Sequence, residues 1–257
     1  EIMYINLSGL NILVTGASRG LGKAIATKLA EAGATIAVHY NKNMNEAESL
    51  AQVLGNESKA FQADLSDPGE AVKLFERVVL ELGSIEILIN NAGIAEPASI
   101  DMVQEEWDVL WQKTMTVNLH SPAILCKKAV QHFIQKKASG RIINISSRAA
   151  YRGETADYLA YASSKAGLVA LTRSIAKSFG KKGVKAFNIA PGFVRTDMAK
   201  AFMSQYGEEH AKGDIALERL TEPKDLAPLI TFLASGMADH ATGSTFDINA
   251  GSYLHDA

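Results

Sequence analysis

Seven short runs rich in aliphatic and β-branched residues, at 11–14, 35–39, 59–63, 85–89, 141–145, 184–189 and 245–248, alternate with stretches of helical pattern. The helical stretches fall at 23–32, 46–54, 68–82, 105–137 with an interruption around 119–122, from Tyr161 through Lys177, and 223–234. Connections this long exclude tight hairpins and call for helical crossovers, so the strands pair in parallel. The expectation is an α/β chain with a doubly wound parallel β-sheet flanked by helices. At 47% hydrophobic residues and 21% charged, the chain can cover both faces of such a sheet. No linker composition, charge block or internal repeat divides it, so 1–257 reads as a single domain.

The first run leads into Thr15-Gly16-Ala17-Ser18-Arg19-Gly20-Leu21-Gly22 and then a helical pattern. Glycines at a strand-to-helix turn let backbone amides approach a pyrophosphate, while the helix N-terminus supplies partial positive charge. The spacing Gly-x3-Gly-x-Gly departs from the common Gly-x-Gly-x2-Gly form, which leaves a plain tight turn as an alternative. The second run flows into Tyr40-Asn41-Lys42, where an acidic residue would hold a ribose 2′-hydroxyl and a basic one a 2′-phosphate. There is no Asp or Glu there, and Lys42 and Arg19 favour NADP(H), with NAD(H) possible. The fourth run ends in Asn90-Asn91-Ala92-Gly93, a polar turn at a carboxyl strand end where ligands collect in open α/β sheets.

After 141–145 come Ser146-Ser147 and then Tyr161-Ala162-Ser163-Ser164-Lys165. On a helix, residues four apart share one face, so a phenol stands one turn from an ammonium. A unit charge at about 4 Å contributes roughly 4 kcal/mol at an effective dielectric of about 20, enough to lower a phenol by up to about three pKa units. Tyr161 so tuned would trade protons near neutral pH. The bland alternative is an exposed helical pair. Asn118, within the long helical stretch, could hold a water for proton relay or simply cap. Residues 197–220 mix Met198, Phe202, Met203 and Tyr206 with charges and read as a substrate loop or a surface helix.

Net charge is −2 and the pI near 6.4, against a nucleic-acid-binding surface. The lone cysteine, Cys126, excludes an intrachain disulfide and a cysteine-based metal site, and reads as a small core or interface residue. No apolar run approaches membrane-spanning length and no leader-like segment precedes the first strand, so a cytoplasmic protein is expected.

Taken in order, Thr15-Gly16-(x)3-Gly20-x-Gly22, Asn90-Asn91-Ala92-Gly93, Asn118, Ser147, Tyr161-(x)3-Lys165 and Pro191-Gly192 resemble the short-chain dehydrogenase/reductase family nearly end to end. The resemblance implies a Rossmann-type fold binding a nicotinamide dinucleotide, with no metal. It implies Tyr161 as catalytic acid/base, Lys165 as its pKa modifier and ribose ligand, Ser147 as the hydroxyl that polarises the carbonyl, and Asn118 as the relay residue. Gly16, Ser18, Arg19, Gly20, Leu21 and Gly22 match the cofactor loop, Asp64 and Leu65 the adenine contacts, and Asn91, Ala92 and Gly93 the adjoining wall. Pro191, Gly192, Val194 and Thr196 match the segment beside the nicotinamide, and Tyr40-Asn41-Lys42 is similar to the NADP-preferring subgroup. A substrate loop is implied at about 193–220.

Overall similarity within the family looks closest to 3-oxoacyl-(acyl carrier protein) reductases, which implies a 3-oxoacyl thioester substrate. Lys127, Lys128, Lys136, Lys137, Lys181 and Lys182 could offer an acidic carrier protein a basic patch or form an ordinary solvated face. His132 and Lys182 stand where carrier-gripping relatives often place arginine. A sugar, polyol or secondary-alcohol dehydrogenase of the same fold is the second reading, and a non-catalytic nucleotide sensor the third. Relatives commonly form homotetramers, or homodimers, through helices matching 115–137 and 158–182.

Overall fold

The structure is a computed structural model in which residues 4–196 and 212–254 are described. Seven strands, β1 (Asn11–Val14), β2 (Thr35–Tyr40), β3 (Lys59–Gln62), β4 (Ile87–Asn90), β5 (Gly140–Ile145), β6 (Val184–Pro191) and β7 (Thr245–Ile248), form one sheet in the order β3-β2-β1-β4-β5-β6-β7. Every neighbouring pair is parallel. Helices α1 (Gly20–Glu31), α2 (Met44–Leu54), α3 (Pro68–Leu82), α4 (Gln104–Met115), α5 (Ser121–Lys136), the short α6 (Ala149–Arg152), α7 (Leu159–Phe179) and α8 (Pro223–Ala234) accompany the sheet, with short 3-10 turns at Ala156–Tyr158, Gly180–Lys182 and Asp239–Ala241.

The strands are apolar on both sides because both sides are covered. Period-2 alternation sends Ile12, Val14, Ile87, Ile89, Ile143 and Ile145 into one core with residues of α1, α2 and α8. Leu13, Leu88 and Ile142 enter a second core with residues of α3, α5 and α7. The chain leaves β3 at one edge and re-enters at β4 beside β1, where Val14 pairs with Val38 on one side and Ile89 on the other. This reversal opens a crevice at the carboxyl strand ends.

Helix boundaries follow local chemistry. Asp67 caps α3 by accepting from the Gly69 amide at 2.7 Å, Pro68 fills the first turn, and Gly83, at φ 83°, ends it. α8 starts at Pro223 behind reciprocal capping by Glu222 and Asp225. The stretch expected at 105–137 differs from expectation in its break. It falls at Thr116–His120, slightly earlier than 119–122, and is a π-helical turn joining α4 to α5 rather than a loop. Asn118, within this turn, is fully buried. No described helix is long and apolar enough to cross a membrane.

Candidate active site

The crevice is a cavity of about 1020 Å³, large among ligand sites, with walls from the ends of β1, β2, β4, β5 and β6 and from α7. Its floor is the glycine turn, strapped from both sides. Thr15 Oγ1 accepts from the amides of Asn91 and Ala92 at 2.9 and 3.0 Å, and Asn91 Nδ2 donates to the carbonyls of Thr15 and Gly16 at 2.9 and 3.2 Å. A Cβ at Gly22 would collide with the Gly16 carbonyl and stand 2.6 Å from Asn91 Nδ2, so this turn closes only around glycine. Gly20, at φ 54°, starts α1, and no side chain caps that N-terminus among the described residues. Its first amides are left to an anion. A dinucleotide pyrophosphate fits this cradle.

Around the cradle, Ser18, Arg19, Leu21, Tyr40, Asn41, Lys42, Asp64, Leu65, Ala92, Gly192, Val194 and Thr196 all line the cavity. Two hydrogen bonds from Ser66, at 2.9 and 2.8 Å, lower the Asp64 pKa, and Asn41 Nδ2 reaches the same carboxylate at 3.3 Å. Pro191 is not on the wall. It ends β6, and its carbonyl accepts from the Arg148 amide at 2.9 Å. Residues 197–211 of the expected substrate loop lie outside the described residues.

Deeper in, α7 brings Tyr161 and Lys165 to the wall, and the end of β5 brings Ser147 within hydrogen-bonding reach of the phenol. Lys165 Nζ lies 5.8 Å from the Tyr161 ring centre and donates to the Ile145 carbonyl at 2.9 Å. A Cβ at Gly93 would lie 3.3 Å from this ammonium, so glycine there leaves it room.

The electrostatics correct the expected lowering of Tyr161. Burial pushes the phenol above its ordinary value, the Ser147 hydrogen bond pulls it down, and the Glu154 charge pushes it up. Burial also lowers Lys165 to about 8. The ammonium stands beside the phenol as the spacing predicts, but burial of the phenol sets the direction of its shift. Tyr161 is therefore a phenol at neutral pH, a proton donor.

The Asn118 side chain is fully buried, where Oδ1 accepts from the Ile94 amide and Nδ2 donates to the Ile94 carbonyl, both at 2.8 Å, and to Ser164 Oγ at 3.1 Å. It clamps the loop after Gly93 onto α7.

Two residues escaped the sequence reading. His39 in β2 bonds the glycine turn from below, and its one signal is an imidazole in an otherwise apolar strand. Arg148, directly after Ser147, is 2% exposed with its guanidinium 4.9 Å over the Phe193 ring and 3.7 Å from Asp214. Neither Nη1 nor Nη2 has a hydrogen-bond partner among the described residues. Of the lysines considered for a carrier, Lys128 is paired with Glu76 at 2.6 Å, and His132 Nε2 accepts from the Ile85 amide at 3.3 Å.

A cradle for a dinucleotide beside a Ser-Tyr-Lys group defines a nicotinamide-dependent oxidoreductase, and comparison with known proteins agrees. The profile of the Enoyl-(Acyl carrier protein) reductase family matches residues 16–253. A 3-oxoacyl-[acyl-carrier-protein] reductase of Vibrio cholerae is 36% identical over 250 residues, covering 97% of this chain and all 100% of that one. Among solved structures, a blue fluorescent protein from a metagenomic library, in complex with NADPH, superposes with TM-score 0.87 at 33% identity, over 97% of this chain and 100% of that one. A candidate gluconate dehydrogenase from Agrobacterium tumefaciens does so with TM-score 0.89 at 29% identity, over 99% and 100%. The chain belongs to the short-chain dehydrogenase/reductase family and is an NAD(P)-dependent oxidoreductase.

Proposed function

We propose that the protein is an NADPH-dependent carbonyl reductase whose leading substrate class is a 3-oxoacyl thioester. The observation that carries this is the convergence of Tyr161, Ser147 and Lys165 beside the dinucleotide cradle. A reduced nicotinamide held in the cradle would supply hydride to the carbonyl carbon. Ser147 and Tyr161 hydrogen-bond the carbonyl oxygen, and Tyr161 gives up its proton as negative charge develops there. Lys165 holds positive charge next to the phenolate that remains. Lys42 and Arg19, with no carboxylate at the end of β2, support NADPH over NADH. The Vibrio cholerae relative supports the thioester, while the engaged Lys128 and His132 weigh against a carrier protein as its bearer.

The second reading is a sugar, polyol or secondary-alcohol dehydrogenase, and Arg148 favours it in an acidic form. The Arg148 guanidinium is buried one residue after Ser147, 3.7 Å from Asp214 and with no hydrogen-bond partner for Nη1 or Nη2 among the described residues, and such a charge would suit a substrate carboxylate. The likeness to a candidate gluconate dehydrogenase points the same way.

Oxidation of NADPH and NADH at 340 nm, with acetoacetyl-CoA, a 3-oxoacyl carrier protein, crotonyl-CoA, neutral ketones and keto sugar acids, decides between them. Turnover of acetoacetyl-CoA, at least about tenfold better in kcat/KM with NADPH, is the expected result. Turnover of keto acids but not thioesters would install the second reading. Reduction of crotonyl-CoA alone would refute carbonyl reduction, and nucleotide binding without turnover of any compound would refute both enzyme readings.

A further inference from the structure

One buried imidazole bonds two segments at the cavity, the glycine turn and the end of the strand segment just before Asp64. His39 is 2% exposed at the carboxyl end of β2. Its Nδ1 accepts from the Gly16 amide at 2.9 Å, and its backbone carbonyl accepts from the next amide, Ala17, also at 2.9 Å. Its Nε2 lies 3.1 Å from the Ala63 carbonyl. A carbonyl can only accept, so Nε2 carries the proton and Nδ1 is the bare acceptor. Only the neutral Nε2-H form satisfies both partners. The ring thus joins the glycine turn to Ala63, 24 positions further along the chain than His39 and just before Asp64 and Leu65, and it lines the cavity itself.

We propose that His39 is a positioning residue for the dinucleotide, holding the glycine turn and the Asp64–Leu65 turn at the separation the cofactor requires. The proposal rests on reading the cavity as a nicotinamide dinucleotide site. Burial obliges both ring nitrogens to find partners, and the partners found here are the backbone at the two turns that line the dinucleotide cavity. Gly16 shows the same constraint from the other side. It sits at φ 63°, and a Cβ there would stand 3.1 Å from Ala92 Cα, so the turn has little freedom once its amide is fixed. The charged groups that act on the ring are Arg77 from α3, which disfavours protonation, and Asp64, which favours it. Burial dominates and holds the pKa at about 4, so the bonding pattern persists at neutral pH.

The test compares His39→Leu, His39→Asn and His39→Gln by NADPH fluorescence titration without substrate, by Tm, and by KM for NADPH against kcat. Asparagine can place an acceptor near Nδ1 and glutamine can reach the Nε2 position, whereas leucine does neither. Losing the bond to a backbone amide should raise the Kd of the leucine variant about tenfold. His39→Asn should recover most of that loss and His39→Gln less, with KM for NADPH moving more than kcat. If His39→Leu does not fold, tighter binding by His39→Asn than by His39→Gln supports the proposal and the reverse order overturns it. Wild-type-like affinity in the leucine variant would overturn it alone. A wild-type chain that binds neither NADPH nor NADH would remove the cofactor reading and the proposal together.

Discussion

Tyr161→Phe is expected to lower kcat by about 10²–10⁴-fold, the range that loss of a positioned general acid produces. The phenyl ring keeps the packing on the cavity wall and the ring face near the Lys165 ammonium, so NADPH affinity should stay within about twofold. The fall should appear in kcat and kcat/KM together, because the proton moves as charge develops on the substrate oxygen and not in the bound ground state. Steady-state rates at 340 nm paired with a fluorescence titration would check it, and a variant with near wild-type turnover would remove Tyr161 from the chemistry.

Lys165→Met should abolish turnover to a similar degree and yet make the protein more stable. The ammonium is 4% exposed, and burial holds its pKa at about 8 against 10.5 for the free side chain. That difference corresponds to roughly 3 kcal/mol of unfavourable burial at neutral pH. Methionine removes the charge at similar volume, although the hydrogen bond to the Ile145 carbonyl, about 1 kcal/mol, goes with it. A net gain of about 1–2 kcal/mol would raise Tm by roughly 3–6 °C at pH 7. The sign of the pH dependence follows from the lowered pKa. Below about pH 8 both native and unfolded wild-type chains carry the proton and the penalty is complete. As pH rises towards 10.5 the native chain loses the proton first, the penalty fades, and the variant's advantage should shrink. A lower Tm for the methionine variant at pH 7 would contradict this account.

Much of the fold was legible because its punctuation is local. Pro68 and Pro223 mark helix starts that the structure reproduces to the residue, and the seven apolar runs all became strands. The site was legible as a set of residues because a helical spacing of four and a glycine turn are themselves geometric statements. What escaped depends on contacts between distant segments. The π-helical turn at Thr116–His120 contains one residue more than an α-helical turn would, and periodicity registers that only as a blurred phase. The direction in which Tyr161 shifts depends on how dry its wall is, which no spacing reveals. His39 and Arg148 acquire meaning only through partners 24 and more than 40 positions away, Ala63 and Phe193.

The strand order has a consequence for how binding competence arises as the chain folds. β1 and β4 are neighbours in space, yet Ile12 and Ile87, which pair, are separated by three crossovers. The loop that must close before they meet is long, and such closure is slow compared with helix formation. The Asn91 straps on the glycine turn form only once β1 and β4 have paired. Nucleotide fluorescence during refolding should therefore recover later than far-ultraviolet ellipticity. A half-assembled sheet would be rich in secondary structure and still blind to the nucleotide, and simultaneous recovery of both signals would show that the two halves dock at the outset.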